Sequence, residues 1–192
     1  MAETINHYQF TSGQILEVFK GDITREVTDA IVNAANSHLM HGGGVAAAIA
    51  RLGGEAIDRE SRKWVRLNGP VAHAKPAVTS GGNLLCKFVI HAVGPVWGEG
   101  DEEKKLKEAI TGSLKTADAL KVNSIAFPAI STGIYGFPKD RAAEIFMRSI
   151  RDYFIEFPMS IICSVKIVLM DDITLHAFIT AFQNEFRSEK KE

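Results

Sequence analysis

Strand-length apolar runs alternate along this chain with longer stretches of helical period, and that alternation limits the fold more than any other feature. Residues 15–19 are β-rich and stop at Gly21-Asp22, and residues 30–34 read as a short buried strand. Residues 87–93 form a further strand ended by Gly94-Pro95, followed by buried strands over 124–130 and 165–170. Between them, 44–52 is Ala- and Ile-rich and ends at Gly53-Gly54, as a helix does. Residues 55–67 continue as an amphipathic helix broken at Asn68-Gly69-Pro70. From 103 to 121, apolar or small residues recur at Leu106, Ala109, Ile110, Ser113, Leu114, Ala117 and Leu120, one helical face. The same period returns over 139–154, and 174–186 is a closing helix.

Strands separated by helices need crossover connections, which make a largely parallel sheet and cover both of its faces. The expected architecture is therefore α/β: a three-layer α/β/α sandwich with a mixed, largely parallel sheet. No repeat or linker interrupts residues 1–192, which read as one domain with a charged, frayed tail over 187–192. In such sheets ligands bind outside the carboxyl ends of the strands, so the residues that follow each strand carry the functional information.

Composition then removes several classes of function. The 22 Lys+Arg against 23 Asp+Glu give a net charge of −1, which weighs against nucleic acid as the partner while leaving room for a local patch. Cys86 and Cys163 stand alone, outside any Cys/His spacing that holds a metal, and read as buried or half-buried free thiols. No metal site is expected. Residues 1–10 have neither a basic stretch nor an apolar core of signal-peptide type, and no apolar run approaches the ~18 residues of a membrane span. A cytoplasmic or nuclear location is the expectation.

Four post-strand segments carry chemistry. Asp22, in Gly21-Asp22-Ile23-Thr24, either caps a following turn through its carboxylate or accepts from an exocyclic amine. Asn33-Ala34-Ala35-Asn36 leads to His41-Gly42-Gly43-Gly44-Val45, where three glycines let the backbone approach a ligand just before a helix. The free N–H groups and partial positive charge of that helix start suit a phosphate. Pro128 to Gly136 holds Ser131, Gly133 and Gly136, a second amide-rich loop fitted to the far side of one diphosphate. Tyr135 either lies over a sugar or packs locally, and Ser131 lacks the G-x-S-x-G context of a nucleophile. Met170-Asp171-Asp172 reads as a polar helix start capped by Asp172. His91, inside a strand, reads as a satisfied core residue, and His41 as a residue that fixes its loop.

Taken in order, these segments closely resemble the macro domain family over about residues 16–182. The resemblance implies ADP-ribose as ligand, with no cofactor beyond it, and ADP-ribose or an ADP-ribosylated protein as partner. It assigns Asp22 to the adenine amine and Ile23 to the adenine ring. It assigns Asn36 to the distal ribose, and Gly43, Gly44, Val45 and Ala46 to the diphosphate and that ribose. Ser131, Thr132, Gly133, Ile134 and Tyr135 would close the other side. A water held by the diphosphate would attack the anomeric carbon in a catalytic member, with Asn36, Gly44 and Tyr135 shaping the reacting end.

Two positions depart from the pattern. A hydrolase branch of the family carries Asp where this chain has Ala46, so both an ADP-ribosyl hydrolase acting on modified side chains or O-acetyl-ADP-ribose and a non-catalytic reader stay open. A binder of poly(ADP-ribose) or nucleic acid is a third alternative, disfavoured by charge. An aromatic residue often stacks on adenine from the position of Met170, and Phe154 is considered as a substitute for it.

Overall fold

A computed structural model describes residues 4–186, so the tail expected to fray lies outside the described residues. Seven strands form one sheet: β1 (Thr4–Gln9), β2 (Ile15–Lys20), β3 (Ala30–Ala35), β4 (Ala77–Ser80), β5 (Phe88–Val93), β6 (Ser124–Phe127) and β7 (Ser164–Leu169). Five helices accompany them: α1 (Gly44–Gly53), α2 (Glu55–Asn68), α3 (Glu102–Ala119), α4 (Lys139–Glu156) and α5 (Asp172–Phe186). The order across the sheet is β1-β2-β7-β6-β3-β5-β4. The five central strands run parallel, while β1 and β4 are antiparallel edges. The mixed sheet with helices on both faces is the expected architecture.

Strand periodicity divides the core. On β3, Ala30 and Val32 join the larger cluster with Phe127 and Ile167, which packs under α3, α4 and α5. Ile31 points to the opposite face, where Val89 and Val168 meet Ile49 of α1 and Ile57 of α2. Alternate residues of a strand face opposite sides, so a continuous apolar run is what a strand covered on both faces requires.

Several boundaries differ from expectation. β6 ends at Phe127 rather than 130, because Pro128 has no N–H to continue the ladder. β1 and β4 were not expected: β1 carries Asn6, His7 and Gln9 instead of an apolar run, and β4 is only four residues long. The start of α5 is capped by Asp171, not Asp172, since its carboxylate accepts from the Thr174 N–H at 2.8 Å and from Thr174 Oγ1 at 2.7 Å. Asp172 instead meets Lys20 Nζ at 2.6 Å. Cys86 is buried as expected, but Cys163 is exposed, because it precedes β7 on the surface.

A polar network crosses the interior beneath the glycine loop. Asn33 Nδ2 lies 3.0 Å from His91 Nδ1 and 3.4 Å from His41 Nδ1. One amide nitrogen supplying both rings makes each Nδ1 an acceptor, which leaves the proton on Nε2. Nε2 of His91 then donates to Thr79 Oγ1 at 2.9 Å, and Nε2 of His41 donates to Ser61 Oγ at 3.0 Å. Both imidazoles are neutral in this arrangement. Burial, with a smaller contribution from His41, pushes His91 down to about 3, and burial also lowers His41.

The unfolded chain takes up a proton at His91 near pH 6.5 and the folded chain does not, so stability is full above pH 6.5 and declines as pH falls toward 3. Between pH 7 and 5 the wild type should lose about 2 kcal/mol more than a His91→Gln variant, measured by urea denaturation at each pH. Equal losses in the two proteins would mean that His91 is protonated in the folded state.

Candidate functional site

A cleft of about 650 Å³ opens at the carboxyl ends of the parallel strands, within the range of small-molecule sites. Each of its walls follows a strand. Ile23 comes from one turn of 3₁₀ helix (Ile23–Arg25) after β2, and Asn36 to Ala46 come from the long β3–α1 connection. Gly94 follows β5, Pro128 to Tyr135 follow β6, and Met170, Asp171 and Thr174 follow β7. Since β7 and β3 flank β6, the Ile23 and Met170 end lies across the cleft from the Asn36 and His38 end.

The first lip is the start of α1. Gly43 caps the helix with no side-chain hydrogen bond, and Gly44 has φ of +57°, a left-handed conformation that costs L side chains energy. The N–H groups of Gly43, Gly44, Val45 and Ala46 find no acceptor among the described residues; the first bond of the helix is Ala47 N–H to Gly43 O at 3.2 Å. Unpaired amides at a helix start bind anions.

The second lip is the loop after β6. Gly136 N–H donates to Gly133 O at 3.0 Å and Phe137 N–H to Ser131 O at 3.0 Å, and these bonds curl the loop. The N–H groups of Gly133, Ile134 and Tyr135 donate to nothing among the described residues. Ser131 sits at φ of +68°, buried, and its Oγ has no partner among the described residues. Thr132 is buried too, with Oγ1 donating to Ala129 O at 2.9 Å and its carbonyl accepting from Lys139 Nζ at 3.1 Å. The lips nearly meet: a methyl group added at Gly43 would lie 3.2 Å from Ile134 Cδ1. Two rows of free amides on one cleft, with no Lys or Arg in its lining, are an arrangement suited to an anion such as a diphosphate.

The remaining expected residues occupy definite places. Asn36 is half-buried and its carboxamide shapes the loop: Oδ1 accepts from the N–H groups of His38 and Met40 at 3.1 Å each, and Nδ2 donates to Met40 O at 2.6 Å. One amide proton remains for another acceptor. Tyr135 is half-buried, its phenol raised by burial and by Glu99. Ala46 is buried in the lining, and Met170 is exposed at the rim.

Asp22 lies outside the lining. Its Oδ1 accepts from Thr24 N–H at 3.0 Å and Thr24 Oγ1 at 2.6 Å, the capping role, while Oδ2 is 3.7 Å from Arg25 Nε. Phe154 is no substitute for an aromatic at Met170. It is buried in α4 against Phe10, at 5.0 Å between ring centres, and is remote from the cleft lining.

The cleft also contains residues that sequence reasoning did not single out, His38, Met40, Gly94 and Thr174, and Asp171, which it read only as part of a polar helix start. Gly94 was legible. It follows a strand directly, and only glycine fits there, because a methyl group would lie 2.1 Å from Ser131 Oγ and 2.5 Å from Ile130 Cγ2. Asp171 is held below the usual carboxylate range by the Thr174 N–H and hydroxyl, so both of its oxygens are occupied.

Comparison with known proteins matches this geometry. The Macro domain model covers residues 32–146. An O-acetyl-ADP-ribose deacetylase of Escherichia fergusonii is 49% identical over 142 residues, 72% of this chain and 79% of the relative. An uncharacterized protein of Thermotoga maritima is 46% identical over 95% of this chain, which spans only 31% of that longer relative. The Oceanobacillus iheyensis macrodomain solved with ADP superposes with a TM-score of 0.84 at 33% identity, covering 98% of this chain and 97% of that one. A single-substitution variant of it, solved with ADPR, gives the same TM-score. On the family model and the 49% identical relative, this chain belongs to the macro domain family.

Proposed function

We propose that the cleft binds ADP-ribose and that the protein releases it from mono-ADP-ribosylated side chains or acts on O-acetyl-ADP-ribose. The observation that carries the reading is the pair of amide rows, Gly43 to Ala46 and Gly133 to Tyr135, on opposite lips of one cleft. A diphosphate spans them, and its two ends then lie toward β7 and toward β3. Adenine occupies the β7 end, against Ile23 and Met170, with Asp22 Oδ2, which Arg25 faces at 3.7 Å, accepting from its amine. The distal ribose occupies the β3 end, where Asn36 offers its remaining N–H and Tyr135 covers the sugar. The relatives support the ligand: the Oceanobacillus protein was solved with ADP and with ADPR, and the Escherichia relative bears a deacetylase name.

The reaction needs little acid–base chemistry when the modified side chain is a carboxylate. Water adds its oxygen to the anomeric carbon, the bond from that carbon to the side-chain oxygen breaks, and the carboxylate leaves with the bonding pair. The proton lost by the water passes to the diphosphate or to solvent. Positioning and stabilisation of charge by the amide rows supply the rate. A methyl group at Ala46, where a hydrolase branch places a carboxylate, favours a second reading, a reader that holds ADP-ribose without turnover.

Incubation with a mono-ADP-ribosylated protein separates the two: release of ADP-ribose supports the enzyme, and binding without release supports the reader. The role of Asp22 has its own test. Asp22→Ala is expected to weaken ADP-ribose about tenfold by removing one charged hydrogen bond, with ribose 5-phosphate binding unchanged. Equal losses for both ligands would place Asp22 in the fold alone.

A further inference from the structure

The near-neutral net charge conceals a local row of positive charge. Arg59, Arg62, Lys63 and Arg66 of α2 fall at i, i+3, i+4 and i+7, the spacing that puts side chains on one side of a helix. All four are exposed, and none forms an ion pair among the described residues. Lys75, just before β4, is likewise exposed and unpaired. Four like charges on one face repel one another, and among the described residues that cost is offset only in part, by the attraction of Arg59 and Lys63 to the Glu60 carboxylate.

Two acids of α2 stand four residues before Arg59 and Arg62, at the N-terminal end of the same face, and the third turns away to β4. Glu55 and Asp58 lie in its first turn, where the helix dipole favours them. The Glu60 carboxylate turns to β4 and accepts from Ser80 N–H at 2.7 Å and Ser80 Oγ at 2.8 Å. Those bonds, foremost the backbone one, hold it below its usual range, with Arg59 and Lys63 adding a smaller effect.

Beside this face runs a groove of about 580 Å³ between α2 and β4, an edge strand, lined by Arg59, Lys63, Trp64, Leu67, Asn68 and Val78 together with Glu60. Trp64 is half-buried there, and Leu67 is 68% exposed. Asn68 spends one N–H on the Trp64 carbonyl at 2.9 Å, and its other amide groups have no partner among the described residues. Cations in a row, an indole and a free carboxamide are the parts that hold phosphates, stack a base and read its edge.

We propose that α2 and the groove beside it bind single-stranded nucleic acid, at a site separate from the cleft. The cationic row tracks the phosphates over the roughly 10 Å that seven residues of helix span. An unpaired base enters the groove against Trp64, a position that no paired base of a duplex reaches. An acidic peptide would satisfy the charge but leave the indole and carboxamide without a matching group.

The test uses the whole chain and a fluorescein-labelled 12-nucleotide oligouridine, followed by anisotropy. Binding is expected at 50 mM salt and should weaken about 20-fold by 200 mM, the slope for about three phosphate contacts to a single strand. Arg62→Glu with Arg66→Glu should lower affinity at least tenfold, while ADP-ribose binding by the same variant stays within twofold of wild type. These exposed positions do not depend on packing, so a folded variant is expected. Four results overturn the proposal: no binding at 50 mM salt, no effect of the charge reversals, displacement of the oligonucleotide by ADP-ribose, or equal competition by an oligoglutamate of the same length.

Discussion

A Gly44→Glu protein should fold and lose ADP-ribose affinity by at least about 100-fold, which corresponds to ~2.7 kcal/mol. Two effects act at this residue. The backbone is at φ of +57°, so any side chain strains the first residue of α1. A carboxylate there also projects among the unbonded N–H groups that are to receive the diphosphate, competing for them and repelling the ligand's charge. Space is not the obstacle, because nothing lies within 4 Å of a methyl group added at Gly44. Gly44→Ala therefore separates the causes: it carries the strain without the charge and should retain most of the affinity. Calorimetry on both variants checks this. Unchanged affinity in folded Gly44→Glu would place the diphosphate elsewhere.

Phe146→Ala should destabilise the fold by about 3–5 kcal/mol, the cost of emptying the space of a buried aromatic ring. Phe146 is fully buried on α4, 6.0 Å from Phe127 on β6 and 5.3 Å from Phe178 on α5, measured between ring centres. It thus joins the sheet to two helices at once. A native fold has only about 5–15 kcal/mol to lose, so this variant should unfold at a much lower urea concentration. The loop from Ser131 to Gly136 runs directly into α4, so ADP-ribose affinity should fall with stability. A midpoint within experimental error of wild type would show that α4 and α5 are not anchored through this ring.

Much of this architecture was legible because covered parallel strands need unbroken apolar runs, as on β3 and β5. The two edge strands were not, for the same reason inverted. β1 carries polar residues such as Asn6, His7 and Gln9, and β4 has too few residues to show a period. The lips of the cleft were legible from glycine between strand and helix. The capping residue of α5 was misassigned between neighbours, since Asp171 and Asp172 are chemically identical and only backbone geometry selects Asp171. His38 and Thr174 carry no pattern in sequence and reach the cleft only through the turns that Asn36 and Asp171 impose. Net charge is silent in another way. A sum of −1 cannot reveal that four cations share one helical face, which needs the helix and its register.

The most direct test of the central claim is calorimetric titration of the folded chain with ADP-ribose. One site per chain with micromolar or tighter affinity, about −8 kcal/mol, is expected, with loss of that heat in Gly44→Glu. A folded protein that takes up no ADP-ribose would contradict it, whatever the oligonucleotide or release assays show.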